Sequence, residues 1–178
     1  MKQQLSLTVT ALFALAACTA IAQTDQANRM KLSADDSAFL TKALQGGMAE
    51  VELGNLAQQN GSSDVVKQFG KQMVEDHTMI NGELQTQATS KGVPVPSALD
   101  AKSQATKDRL SKLTGADFDR AYMQEMVTDH QQDIAEFRRE SARATDPDVK
   151  ALAAKTLPTL ENHLKMARAG SAEVKKEK

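Results

Sequence analysis

The sequence has few of the residues that stabilise disulfide-linked and strand-rich proteins. Of its 178 residues one is cysteine, none is tryptophan, and the aromatic residues together make up 3%. The single cysteine, Cys18, excludes a disulfide scaffold. Strand-rich folds rely on aromatic and β-branched residues. A hydrophobic share of 40% with so few aromatics therefore indicates a core of alanine, leucine, methionine and valine, which favour helices.

Neither sign of charge is in excess. The chain has 22 basic and 23 acidic side chains, and its formal net charge is −1. Proteins that bind nucleic acids usually show a basic excess or a basic stripe, so we expect no nucleic-acid partner. A chain of 178 residues is long enough for one domain with terminal extensions, at roughly 100–200 residues per domain.

The N-terminus has the pattern of a secretory signal over residues 1–22. Lys2 precedes an apolar run over residues 5–17, and small residues follow the run. This run is shorter than the ~20 apolar residues that a membrane-spanning helix needs. We therefore expect export, with no transmembrane segment in the mature chain.

Two cleavage sites compete at the end of this signal. Cleavage after Ala22, in the sequence Ala-Ile-Ala, would leave Gln23 as the first residue of a periplasmic protein. The sequence Leu-Ala-Ala-Cys that ends at Cys18 resembles a lipoprotein box. Cleavage there would place a lipid anchor on Cys18 and attach the protein to the outer membrane.

Apolar residues that recur at spacings of three and four predict four long amphipathic helices. After a polar tether over residues 23–32, Ser33 caps the first helix, which ends at Asn60 and Gly61. The expected ranges of the other three helices are 62–91, 117–144 and 147–170. The remaining residues 171–178 are expected to form a charged tail.

The connection between the second and third helices is long. It covers residues 91–114, with a proline-containing stretch over 92–97 and a short polar helix over 98–113. The other two connections are short. This pattern predicts an all-α fold, a ferritin-like four-helix bundle over residues 33–170 with a long crossover between helices 2 and 3.

The three histidines of the chain lie on the apolar stripes of three different helices. His77 follows Met73 by four residues, His130 lies midway between Met126 and Ile134, and His163 follows Leu160 by three residues. Each is near the middle of its helix. We therefore expect the three imidazoles to meet in one layer of the core.

Carboxylates accompany the histidines. Glu50 is expected to point inward from the first helix, among small residues that leave room beside it. Asp133 is a weaker inward candidate. Asp76 and Asp129, each directly before a histidine, are expected to orient imidazoles on neighbouring helices by accepting hydrogen bonds from them.

The diiron signature of ferritin-like proteins is absent from the sequence. That signature has a glutamate three residues before a histidine, whereas Val74, Val127 and Leu160 occupy these positions here. No nucleophile elbow or phosphate-binding loop replaces it. The sequence thus gives no catalytic signature, and we expect a protein that is not an enzyme.

Two interpretations of the histidine layer stay open. In the first, the buried histidines and carboxylates form hydrogen bonds with one another and have a structural role in an exported, non-enzymatic protein. In the second, a divalent transition metal is the cofactor, and its ligands are His77, His130, His163 and Glu50.

Three segments resemble the bacterial exported family known as domain of unknown function 4142. They are residues 35–84, which contain MVEDHTMINGEL, residues 115–137, which contain MVTDHQQDIAEF, and the segment LPTLENHLKMA at 157–167. The resemblance implies a ferritin-like bundle in the periplasm or at the outer membrane and no established reaction. The family's recurring polar positions correspond to Glu50, Asp76, His77, Asp129, His130 and His163.

Overall fold

The computed structural model describes residues 32–176, which form four long helices and one short one. They are α1 (Ala34–Asn60), α2 (Asp64–Ser90), α3 (Ala101–Leu110), α4 (Gly115–Arg143) and α5 (Pro147–Val174). The described residues contain no strand, so the predicted all-α fold is confirmed. The long helices have 27 to 29 residues each, which gives lengths of ~40 Å at 1.5 Å per residue.

The helices begin at the capping residues that the sequence indicates. Ser33 accepts a hydrogen bond from the backbone N–H of Asp36 at the start of α1. The carboxylate of Asp146 accepts the N–H groups of Asp148 and Val149 at the start of α5, directly before Pro147. These contacts satisfy backbone donors that have no partner within the helix.

Hydrogen bonds between helix ends establish the order of the bundle. At one end, Asp36 of α1 accepts from the backbone N–H groups of Thr145 and Asp146, which connect α4 to α5. The ammonium of Lys91, just after α2, pairs with Asp146 at the same end. The start of α1 and the end of α2 therefore lie beside the connection between α4 and α5.

At the opposite end, Asp119 in the first turns of α4 accepts from the backbone N–H groups of Ser62 and Ser63. These two serines connect α1 to α2. The segment between α2 and α4 must therefore run the whole length of the bundle, with α3 on the way. This is the ferritin-like order with a long crossover, as the sequence predicts.

Two glycines let α1 and α2 approach closely. A Cβ atom on Gly54 would lie 2.6 Å from the carbonyl oxygen of Gly70, and a Cβ atom on Gly70 would lie 2.7 Å from the carbonyl oxygen of Gly54. Any larger residue at either position would push the backbones apart. The small residues predicted around Glu50 thus serve as a close helix contact.

Three helix boundaries differ from the expectation. The crossover helix α3 covers only Ala101–Leu110, because Asp100 caps it. Helix α4 begins at Gly115, whose φ of 61° lies in the left-handed region that favours glycine. Helix α5 continues to Val174, so residues 171–174 are helical and not part of a charged tail; the burial of Ser171 and Val174 explains this continuation.

The predicted signal over residues 1–22, with Cys18, lies outside the described residues, and so does the predicted tether over residues 23–32 apart from Leu32. Within residues 32–176, no helix combines the length and the apolar character that crossing a membrane requires.

Candidate metal centre

Three imidazoles from three helices meet inside the bundle. His77 of α2, His130 of α4 and His163 of α5 are all buried, and one nitrogen from each lies within 4.8 Å of the corresponding nitrogens of the other two. The distances between ring centroids are 5.3–5.8 Å. The predicted convergence of the histidines is therefore confirmed, and we call these three side chains the histidine cluster.

The hydrogen bond of His130 determines which of its nitrogens is free. Its Nδ1 lies 3.0 Å from the carbonyl oxygen of Met126, one turn earlier in α4. A carbonyl oxygen only accepts, so Nδ1 carries the proton and donates it. In the neutral ring, Nε2 then has an unshared lone pair.

In His163 the other ring nitrogen, Nε2, is the hydrogen-bond donor. Its Nε2 lies 2.8 Å from the Oδ2 atom of Asp76 on α2, and donates to this carboxylate. The lone pair of the neutral ring is therefore on Nδ1. This Nδ1 lies 3.4 Å from Nε2 of His130. Two nitrogens that both present lone pairs thus face each other in the core.

Within the described residues, neither ring nitrogen of His77 has a hydrogen-bond partner. Burial lowers the pKa of His77 well below its ordinary value, and the neighbouring imidazoles lower it further. Burial also lowers the pKa of His163 and brings the pKa of His130 to about 4. At neutral pH all three rings are uncharged, and no proton lies between the facing nitrogens.

Glu50 of α1 is completely buried beside the histidine cluster. Its Oε1 atom lies 3.7 Å from Nδ1 of His130, the nitrogen that donates to Met126. In the part of the chain that the structure describes, neither of its oxygens has a hydrogen-bond partner. Burial raises the pKa of Glu50 well above its ordinary value, and the nearby carboxylate of Asp129 raises it further.

The two predicted orienting aspartates have different surroundings. Asp76 accepts from His163 on a neighbouring helix, which is the contact expected of it. Asp129 lies instead beside Glu50 and Asp133, where its charge adds to the effect of burial on both pKa values. The pKa of Asp133 rises to about 8, chiefly because of burial.

Two further polar groups near the centre were not predicted as site residues. The hydroxyl of Tyr122 is buried without a hydrogen-bond partner from residues 32–176, and its pKa is raised by burial and by Glu50. The Oδ1 atom of Asn81, next to Gly47, is buried and likewise has no partner from these residues. Asn81 follows His77 by four residues, and this spacing places it one turn further along the same helix face.

These features define a class of protein: an all-helical, ferritin-like four-helix bundle with three neighbouring histidines in its core. The chain belongs to the family described as "Domain of unknown function (DUF4142)", which matches residues 21–169. The family resemblance of the sequence is thereby confirmed. A comparison with curated proteins gives no match.

Solved structures share the fold. The DUF305 fragment from Deinococcus radiodurans has a TM-score of 0.71 and 15% identity, over 80% of this chain and 99% of that one. The DUF305 protein from Streptomyces coelicolor has a TM-score of 0.67 and 16% identity, over 80% and 94%. CopM in the Cu(II)-bound form has a TM-score of 0.66 and 15% identity, over 78% and 96%.

Proposed function

We propose that the protein binds one transition-metal ion, copper being the best candidate, through His77, His130 and His163. The observation that carries the proposal is the pair of facing lone pairs on His130 and His163, 3.4 Å apart. Two buried acceptors without a proton between them repel each other, and a cation between them turns this repulsion into two favourable bonds.

The nitrogen spacing supports this arrangement. Two imidazole nitrogens bound to one ion at ~2.0–2.1 Å lie ~3.3–3.6 Å apart in trigonal or tetrahedral geometry. The distance of 3.4 Å between the nitrogens of His130 and His163 is within this range. A nitrogen of His77 lies within 4.8 Å of the other two and would have to move closer. It can do so without losing a hydrogen bond, since neither of its nitrogens makes one within the described residues.

The chemistry of the donors supports copper. Three neutral imidazoles suit copper and zinc, and they lack the carboxylate-rich environment that magnesium or calcium needs. CopM, which has a similar fold, is known in Cu(II)-bound, Cu(I)-bound and Ag-bound forms. The charge of a bound ion would be offset by Asp76, and by Glu50 once the ion displaces the proton that burial favours there. Glu50 as a fourth ligand, and Asp133 as a weaker one, remain predictions.

A structural histidine layer in a non-enzymatic protein is the second candidate. The contact between His163 and Asp76 favours it, because this hydrogen bond joins α5 to α2. However, a purely structural layer leaves both nitrogens of His77 without partners among the described residues. Buried polar groups are rarely left unpaired. A bound ion therefore leaves fewer buried polar atoms of the core without a partner than a structural role does.

We also propose that the protein is exported. The signal pattern over residues 1–22 supports export. A similar fold occurs in the Streptomyces coelicolor protein, a candidate secreted protein. The intact mass of the exported chain distinguishes a mature protein that begins at Gln23 from one that begins at an acylated Cys18.

Metal content tests the binding proposal. The protein is purified from the periplasm without a histidine tag, and elemental analysis should give one equivalent of copper after dialysis against it. The variant His130→Leu should lose the metal, because it removes one of the two facing nitrogens. The matched control is Thr156→Val, which changes another buried polar residue, on α5, outside the histidine cluster. Less than about a tenth of an equivalent in the wild type after dialysis against copper, zinc, iron and manganese would leave the structural layer as the explanation.

A further inference from the structure

The histidine cluster is closed to solvent, so a bound ion needs a route into the core. The crossover helix α3 lies against α1 and α4, and a narrow crevice of about 30 Å³ opens where the three helices meet. This volume holds about two water molecules. The charged residues in the walls of the crevice are Glu125, Asp129 and Lys102.

Glu50 lies close both to a residue in the wall of the crevice and to the histidine cluster. Asp129 lies in the wall, directly before His130 in α4, and its charge acts on the buried Glu50. The Oε1 atom of Glu50 lies 3.7 Å from Nδ1 of His130. Among residues 32–176, the oxygens of Glu50 have no hydrogen-bond partner to hold them in place.

The helix α3 covers this acidic region with basic side chains. Its Lys107 pairs with Glu52 at 2.6 Å, and its Arg109 pairs with Glu125. Both pairs are partly exposed to solvent, so each contributes little to stability and can exchange readily. A metal cation at the crevice would compete with Arg109 for the carboxylate of Glu125.

We propose that metal ions enter the histidine cluster through this crevice beneath α3, with Glu125 and Asp129 attracting the ion and Glu50 binding it transiently on its way to His130. The inference rests on the proposed metal-binding function and adds the route. The carboxylates of Glu125 and Asp129 attract cations to the crevice and accelerate their binding, against the positive charges of Lys102 and Arg109 beside them. Glu50 is in this account a transit residue, and the three imidazoles hold the ion.

The fluorescence of Tyr122 can report the rate at which copper reaches the histidine cluster. Tyr122 is the single tyrosine of the chain, and tryptophan is absent. Tyr122 lies beside Phe69, with 6.1 Å between ring centroids, and Phe69 lies 6.4 Å from His130. A Cu(II) ion in the histidine cluster should quench the fluorescence of Tyr122. Stopped-flow mixing of metal-free protein with Cu(II) then gives the association rate, and removal of copper by a chelator gives the dissociation rate.

The variants Glu50→Gln and Asp129→Asn should slow association by about tenfold or more. They should slow dissociation by the same factor, because a transit residue acts on both directions and leaves Kd unchanged. Asp129→Asn changes a half-buried residue at the crevice and keeps the test valid if Glu50→Gln fails to fold. The matched control is Glu83→Gln, whose carboxylate pairs with Lys155 on another face of the bundle. It should bind copper at the wild-type rate.

Three other outcomes would contradict the route, and one of them would also contradict the proposed function. Wild-type rates in both Glu50→Gln and Asp129→Asn would overturn the route while leaving the metal site intact. A weaker Kd with an unchanged association rate in Glu50→Gln would also overturn it, since Glu50 would then be a ligand. Failure of the wild-type protein to bind Cu(II) at all would contradict both the proposed function and the route.

Discussion

The Nε2 atom of His130 and the Nδ1 atom of His163 face each other at 3.4 Å. Each nitrogen is unprotonated because the opposite nitrogen of the same ring donates its hydrogen, to Met126 in one case and to Asp76 in the other. The backbone of α4 and a carboxylate of α2 thus determine the tautomers of the two imidazoles. This arrangement prepares both rings for a cation.

The first prediction concerns the carboxylate that holds His163. Asp76→Asn should weaken copper binding by ~10–100-fold, because the amide no longer favours the Nε2–H tautomer as strongly as a carboxylate does. A competition titration with a chelator of known affinity measures the change. The control is Glu75→Gln, which alters the neighbouring exposed carboxylate that pairs with Lys71. Equal affinities in wild type and Asp76→Asn would show that Asp76 does not orient the ligand.

The second prediction concerns the pH dependence of the metal-free protein. The pKa of His130 in the folded state is about 4, below the ordinary value of 6.5. Between these two values the unfolded state binds more protons than the folded state, so the contribution of His130 to stability is lost as the pH falls. Lowering the pH from 7 to 4.5 should therefore reduce the free energy of unfolding of the wild type by about 2 kcal/mol more than that of His130→Leu.

Urea unfolding at both pH values measures this difference. Subtracting the variant removes the contributions of other groups that titrate in the same range, such as Glu140, whose pKa is raised to about 7 by burial and by Asp36. A difference that stays constant between pH 7 and pH 4.5 would mean that His130 is accessible to protons in the folded protein.

The third prediction concerns the close contact of α1 and α2. Gly54→Ala and Gly70→Ala should each destabilise the protein by about 1–3 kcal/mol, because the added methyl group meets a backbone oxygen that cannot move aside. Gly46 and Gly82 are matched controls within the same two helices, since a Cβ atom at either position meets nothing within 4 Å. Alanine there should stabilise by about 0.5–1 kcal/mol. Thermal unfolding measures all four variants, and a loss of the same size at all four positions would contradict the contact.

The fourth prediction concerns the end of the bundle at Asp119. This buried carboxylate accepts from the backbone of Ser62 and Ser63, and so replaces a side-chain cap at the start of α2. Asp119→Ala should cost about 1–3 kcal/mol, since buried donors lose their acceptor. Asp117→Ala, an exposed change two residues earlier, should have a much smaller effect. Similar unfolding free energies for the two variants would exclude a capping role for Asp119.

The sequence predicts the positions of the histidines well, because a 3.6-residue period determines which face of each helix is buried. It also predicts the crossover, since the connection around Pro94 and Pro96 is too long for a tight turn. It does not predict which nitrogen of each ring is free. That depends on a hydrogen bond from His163 to another helix and on distances of a few tenths of an ångström, which periodicity does not contain.

The sequence also does not predict the burial of Asp36 and Asp119, because it does not show which residues of other helices they contact. Asp36 and Asp119 lie in the first turns of their helices, where an aspartate usually faces solvent and interacts with the helix dipole. Here both residues reach across to the connection between two other helices. The same lack of tertiary information explains the end of α5, which continues to Val174 because that side chain is buried.

The position of a bound ion tests the central claim most directly. A crystal of the copper-loaded protein, measured at the copper absorption edge, shows where the metal lies relative to each nitrogen. We predict one anomalous peak between Nε2 of His130 and Nδ1 of His163, at ~2.0–2.1 Å from each, with a nitrogen of His77 as the third ligand. A peak elsewhere in the bundle, or none in protein that carries a full equivalent of copper, would contradict the account.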